Sequence, residues 1–300
     1  MGSLLRQTCA AAAALATAAA FAQAPTVAPQ LAKACAELPA GAQDARSLAL
    51  RSQCVLGGAI ASERRFAEGR ELARKSLELG DPAGGFMLYM VFRSDPANGY
   101  LRGGKVDMDA YRRLGARPLA ERGEQIEALD GLAFAAVKGH VVGAITLASH
   151  FAETVAPHNV ERVLGLTSLY LRNGETDPAL QRLALQARQV LQFGPTKASI
   201  RSFIDASYSA GGAAGYAYVQ RNDGKTCERF TPKVLESGEV QGAEYLPLKH
   251  KSLANTFLLR GTWAETWNLS GCGQDIPVTV TFVADGWGGA SFTAEAAKTK

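Results

Sequence analysis

Apolar residues recur at spacings of three and four from about residue 31 to residue 201, and at spacings of two in the last 80 residues or so. The first period marks helices with one buried face and the second marks strands with one buried face. Over 64–79 the helical stripe is Phe66, Gly69, Leu72, Ala73, Ser76 and Leu79, stopped by Gly80, Asp81 and Pro82. Over 178–193 it is Leu180, Leu183, Ala184, Ala187, Val190 and Leu191. Asp177 and Pro178 supply an N-cap and a first helical residue, and Gly194 with Pro195 ends the run. After the helices, Trp263, Glu265, Trp267 and Leu269 alternate onto one face. The segment Gly271, Cys272, Gly273 then turns the chain into a second alternating run, Ile276, Val278, Val280, Phe282 and Ala284. That pair predicts a β-hairpin, with a further strand at 290–293 and partners at 245–248 or 257–260.

The predicted fold class is therefore α+β: an N-terminal all-α array of helical hairpins over 23–208, then a small β-rich module over 222–300. Between them, 209–221 is expected as a linker. Its cluster Ser209, Ala210, Gly211, Gly212, Ala213, Ala214, Gly215 suits either a flexible connection or a glycine-lined packing contact.

The helical part also repeats itself. Gly80, Asp81, Pro82, Ala83, Gly84 and the residues to Phe92 align without gaps on Gly139, His140, Val141, Val142, Gly143 and the residues to Phe151. Each copy follows an amphipathic helix, opens on a glycine turn and carries a small residue where helices meet. On these residues, and on Leu164, Gly165, Tyr170, Asn173 and Gly174, the N-terminal two-thirds resembles Sel1-like repeats, a branch of the tetratricopeptide class. The resemblance implies stacked helical hairpins, an adaptor that binds a protein or peptide partner, and no reaction. The two best turns lie 59 residues apart, where the repeat would place about 36, so 95–124 is expected to hold an insertion or a decayed repeat. The β-rich module carries no such resemblance.

The first 22 residues read as a removable export signal. Arg6 supplies the charge, an Ala-rich run follows, and Ala20 and Ala22 supply the small residues for cleavage after Ala22. The apolar run is shorter than the ~20 residues a membrane span requires, so the mature chain is not expected to be an integral membrane protein. Removing Cys9 with the signal leaves four cysteines. An even count in an exported chain favours disulfides, and the sequence-local pairing Cys35 with Cys54 and Cys227 with Cys272 needs the fewest long closures. The predicted location is periplasmic or secreted. A net charge of +4 is too small to point to nucleic acid or anionic lipid.

Candidate chemistry is sparse. His140, His150, Glu153 and His158 form the one histidine cluster, with His150 and Glu153 at helical spacing, but the turn position of His140 accounts for it structurally. Gly224, Lys225 and Thr226 imitate the end of a phosphate loop, yet position 219 is Val219 where that loop needs glycine. No nucleophile or zinc-protease motif occurs, so no catalytic residue, metal ligand or cofactor is assigned. Asn268, Leu269 and Ser270 match a glycosylation acceptor that matters only in a eukaryotic secretory route. The arginines at 64–65, 112–113 and 117–122 read as solvated helix faces. One site competes with the adaptor reading. Glu265 between Trp263 and Trp267, with Trp287 nearby in sequence, forms a candidate ligand face for a cell-envelope enzyme or glycan-binding protein. Against it stands the tendency of alternating tryptophans to form core.

Overall fold

The computed structural model describes residues 29–297. The signal sequence and Cys9 lie outside the described residues. Among these the chain is α+β, and it divides into two compact units at the Leu114/Gly115 boundary.

The first unit contains α1 (Pro29–Ala36), α2 (Ala45–Gly57), α3 (Arg65–Glu78), α4 (Pro82–Ser94) and most of α5 (Met108–Gly115). Its core is Leu56, Ala73, Met87, Leu88 and Val91, with Phe66, Leu77, Phe86 and Met90 packed around it. Cys35 on α1 and Cys54 on α2 are bonded, Sγ to Sγ 2.03 Å. Two buried serines tie the helices together: Ser52 donates to the Gly69 carbonyl and Ser76 to the Ala45 carbonyl, both at 2.7 Å. The segment expected as an insertion opens with a 3-10 turn at Pro96–Asn98 and then forms a short hairpin, β1 (Leu101–Arg102) and β2 (Lys105–Val106), turned by Gly103 and Gly104 at positive φ. The N-terminal part is therefore not wholly α.

The second unit contains α6 (Gly123–Val137), α7 (Val141–Glu153), α8 (Asn159–Arg172), α9 (Pro178–Gln192) and α10 (Ile200–Arg221), followed by a five-stranded antiparallel sheet. Its strands are β3 (Thr231–Ser237), β4 (Gln241–Tyr245), β5 (Leu258–Gly271), β6 (Gln274–Ala284) and β7 (Ala290–Ala296). β5 and β6 form the predicted hairpin, joined by Cys272 and Gly273 at φ 49° and 76°, the doubly left-handed turn that matches strand twist. β3 and β4 lie end to end along the other edge of β5, and β7 closes the sheet beyond β6. The second expected disulfide, Cys227–Cys272, forms at 2.14 Å and ties the chain just after α10 to the hairpin turn.

Here the expected organisation needs correction. Residues 209–221 are the C-terminal part of the 22-residue helix α10, not a linker. α10 presents Phe203, Ala206, Ala210, Ala214 and Tyr218 as a buried stripe and packs on the sheet, so helices and sheet share one core. Small residues there allow close contact on the inner side rather than flexibility. Further ties confirm the shared core. The Asn159 amide donates to the Thr256 carbonyl at 2.9 Å, and Asp130 on α6 accepts from the Lys249 and His250 backbone amides at 2.9 Å.

Candidate functional site

Glu265 is fully buried, and the strand period places it between Trp263 and Trp267 on the inner face of β5. Five donors converge on its carboxylate. The indole N–H of Trp263 donates to Oε1 at 3.2 Å and that of Trp267 to Oε2 at 3.0 Å. The Thr196 hydroxyl lies 2.9 and 3.1 Å from the two oxygens, the Lys197 backbone N–H donates to Oε1 at 2.9 Å, and the Ser237 hydroxyl does so at 3.1 Å. An ionised carboxylate accepts only, with about four lone-pair sites, so this environment saturates it. The Lys197 ammonium completes the cluster by donating to the carbonyls of Ser237 and Gly238 at 3.0 and 2.8 Å.

The tryptophan rings are equally engaged. Trp263 stacks on Phe282 with centroids 5.0 Å apart and planes at 9°, and Trp267 packs on Phe203 at 4.9 Å. Trp263 is 2% exposed and Trp267 0%. Trp287 stands on the turn between β6 and β7, where its N–H and that of Gly289 donate to the Asp285 carboxylate, and it is not among the donors to Glu265. The four residues therefore do not form one ligand face. Three of them build a buried polar node that binds the loop 194–199 and β3 to β5. Thr196, Lys197 and Ser237 carry no local sequence signal for this role, since they lie 69, 68 and 28 positions from Glu265.

The histidines also separate. His140 caps α7 by accepting from the Gly143 N–H at Nδ1, 2.9 Å away. His150 is buried and stacks on Phe257 at 5.7 Å, whereas Glu153 is exposed. His158 is exposed at φ 65° beside Glu161. No group of three or more His, Cys, Asp or Glu that would hold a metal occurs among the described residues. The arginine clusters are not uniformly solvated: Arg122 is 2% exposed and donates to the carbonyls of Arg117 and Gly115 and to Gln125. Burial, first, and then the charge of Arg117 hold its guanidinium below the usual value.

What recurs is the helical hairpin turn. Gly80 ends α3, Gly139 ends α6 and Gly174 ends α8, at φ 89°, 87° and 93°. Each glycine N–H bonds back to a carbonyl three residues earlier, and the next residue bonds back five: Asp81 to Ser76, His140 to Ala135, Glu175 to Tyr170. This is the Schellman closure, and only a residue tolerant of positive φ completes it without strain. A side chain then caps each following helix, from Asp81, His140 and Asp177. Gly84 and Gly143 sit where helices meet; a Cβ on Gly84 would stand 2.5 Å from the Leu77 nitrogen and one on Gly143 3.2 Å from the Ala135 Cβ. Gly165 departs from this pattern and faces open space. Large apolar side chains stand exposed near the turns, including Leu79, Val137 and Val142. Among the described residues no helix is long and apolar enough to cross a membrane.

The chain matches no protein-family model, no curated protein and no solved structure.

Proposed function

We propose that this chain is an exported, non-catalytic adaptor of the cell envelope that binds a protein or peptide partner through helical hairpins of the Sel1-like, tetratricopeptide class. The observation that carries the reading is the thrice-repeated turn, in which glycine, back-bonding and helix cap recur at Gly80, Gly139 and Gly174. Arrays of repeated helical hairpins bind partners over spread-out surface side chains rather than in a pocket. The exposed Val137 and Val142, on either side of one turn, are apolar surface of that kind. Two disulfides favour an oxidising compartment, which agrees with the export signal read at 1–22. The rival reading, a glycan-binding or catalytic site at Glu265, loses its main support because the carboxylate already accepts from five protein donors.

The test is cross-linking of the full chain in an envelope extract, alongside a Val137→Glu, Val142→Glu variant with unchanged circular dichroism. The adaptor reading expects a defined partner at near-equal ratio that the variant fails to retain. Retention of nothing by the full chain, or equal retention by the variant, refutes it.

A further inference from the structure

The two edges of the sheet are treated differently. On one side β3 carries Pro232 and Lys233 and is bulged between Val234 and Glu236, and its Val234 N–H is taken by the Phe193 carbonyl. β4, on the same side, is interrupted twice in register. Proline, lysine, bulges and covering loops are the devices that stop a sheet edge from recruiting another strand. The other edge lacks proline, lysine and bulges, although α10 packs against it. β7 keeps unbroken register with β6 from Ala290 to Ala296, contains neither proline nor glycine, and carries a single charge, Glu295.

Hydrogen-bond parity shows which groups face outward. Ala297 N–H donates to the Pro277 carbonyl and Asp285 N–H to the Gly289 carbonyl. The pairs 296 with 278 and 290 with 284 are therefore non-hydrogen-bonded, and the N–H and C=O of Ala290, Phe292, Ala294 and Ala296 point away from β6. Among the described residues none of these outward groups has a protein partner.

We propose that β7 pairs antiparallel with β7 of a second copy of this chain, about a two-fold axis through Thr293. In this register residue i faces residue 586 − i of the partner copy. Ala290 then faces Ala296, Phe292 faces Ala294, and all four outward-facing residues on each copy are used, giving about eight backbone hydrogen bonds. Glu295 faces Ser291, so no like charges oppose each other, and Thr293 meets its own counterpart on the axis. Isologous two-fold contacts require this self-complementarity. The inference does not depend on the adaptor reading, since it concerns the sheet and not the hairpins. One strand pair is a small interface, so the association is concentration-dependent.

Sedimentation of the full mature chain over about 1–200 μM tests it. The expected mass rises toward twice that of the monomer. Ala294→Pro removes an outward N–H while leaving the β6 ladder intact, which edge strands tolerate. It is expected to stay monomeric throughout with an unchanged near-ultraviolet spectrum. Thr293→Arg, on the exposed face, is the second variant and holds if the proline variant fails to fold. Thr293 counterparts meet within about 5 Å, so Arg against Arg abolishes association, as does Thr293→Glu alone, while an equimolar mixture of the two restores the doubled mass. A wild-type chain that remains monomeric, either single variant that associates like wild type, or a mixture that stays monomeric overturns the proposal.

Discussion

Replacing Glu265 by Gln changes one atom and reverses the chemistry of one side of the buried node. The amide keeps an acceptor oxygen, best placed at the Oε1 position, where the Lys197 N–H, the Ser237 hydroxyl and the Trp263 indole converge. Its NH2 then occupies the Oε2 position, facing the Trp267 indole N–H, which is a donor and can only be left unpaired. A buried unsatisfied donor costs about 1–3 kcal/mol, and the remaining bonds lose the charge that made them strong, worth about another 1 kcal/mol. The expected destabilisation is about 3 kcal/mol, which lowers the unfolding midpoint of a unit this size by roughly 6–12 °C. Thermal and denaturant unfolding followed by far-ultraviolet circular dichroism reads the loss. The near-ultraviolet tryptophan bands report whether Trp263 and Trp267 remain fixed. Trp267→Phe removes the orphaned donor, so the two substitutions combined are expected to cost less than their sum, by about 1 kcal/mol. A Glu265→Gln variant that unfolds within about 0.5 kcal/mol of wild type, or a strictly additive pair, would refute the claim that the five-donor node holds the loop and sheet together.

Other predictions follow from the same geometry. In the loop-entropy model, removing Cys227–Cys272, which spans 45 residues, costs about 4 kcal/mol, and removing Cys35–Cys54, which spans 19, about 3 kcal/mol; paired Cys→Ser variants in denaturant titrations check this order. Gly84→Ala drives a Cβ into the Leu77 nitrogen and the Ala73 carbonyl and is expected to destabilise by about 1–3 kcal/mol. Gly165→Ala, in open space inside α8, is expected to stabilise by up to about 1 kcal/mol in the same assay. Tyr170 on α8 donates its hydroxyl to the Ala136 carbonyl of α6, and burial, aided by the charge of Glu175, raises its phenol above the ordinary value. The folded chain keeps that proton to higher pH than the unfolded chain. The phenol's contribution is therefore full below pH of about 10, the unfolded value, and fades as pH rises through the folded value. Tyr170→Phe is expected to lose about 1 kcal/mol at pH 8, with the difference from wild type shrinking above pH of about 10; chemical denaturation across that range measures it.

Much of this fold is legible without coordinates, because helix and strand periods are local. The stripe over 178–193 sufficed to place α9 with its Asp177 cap, and the alternation around Cys272 sufficed to place the β5–β6 hairpin. Glycine turns at Gly80 and Gly139 are written in the chain for the same reason, since positive φ selects glycine at one position. The cysteine pairing was also readable, from proximity in sequence. β3 and β4 were not, because Pro232, the bulges and Gly242 erase their alternation. Residues 209–221 of α10 read as a linker because Gly211, Gly212 and Gly215 lower local helix propensity, while packing on the sheet, a non-local term, outweighs that cost. Glu265 shows the division most clearly. Its face was set by the two-residue period of the strand. Whether that face met solvent, a ligand or the core depended on Thr196, Lys197 and Ser237, which only the folded chain brings to its carboxylate. Period and turn geometry are properties of neighbouring residues and travel with the sequence, whereas burial and hydrogen-bond saturation depend on groups tens of residues away and exist only in the tertiary structure.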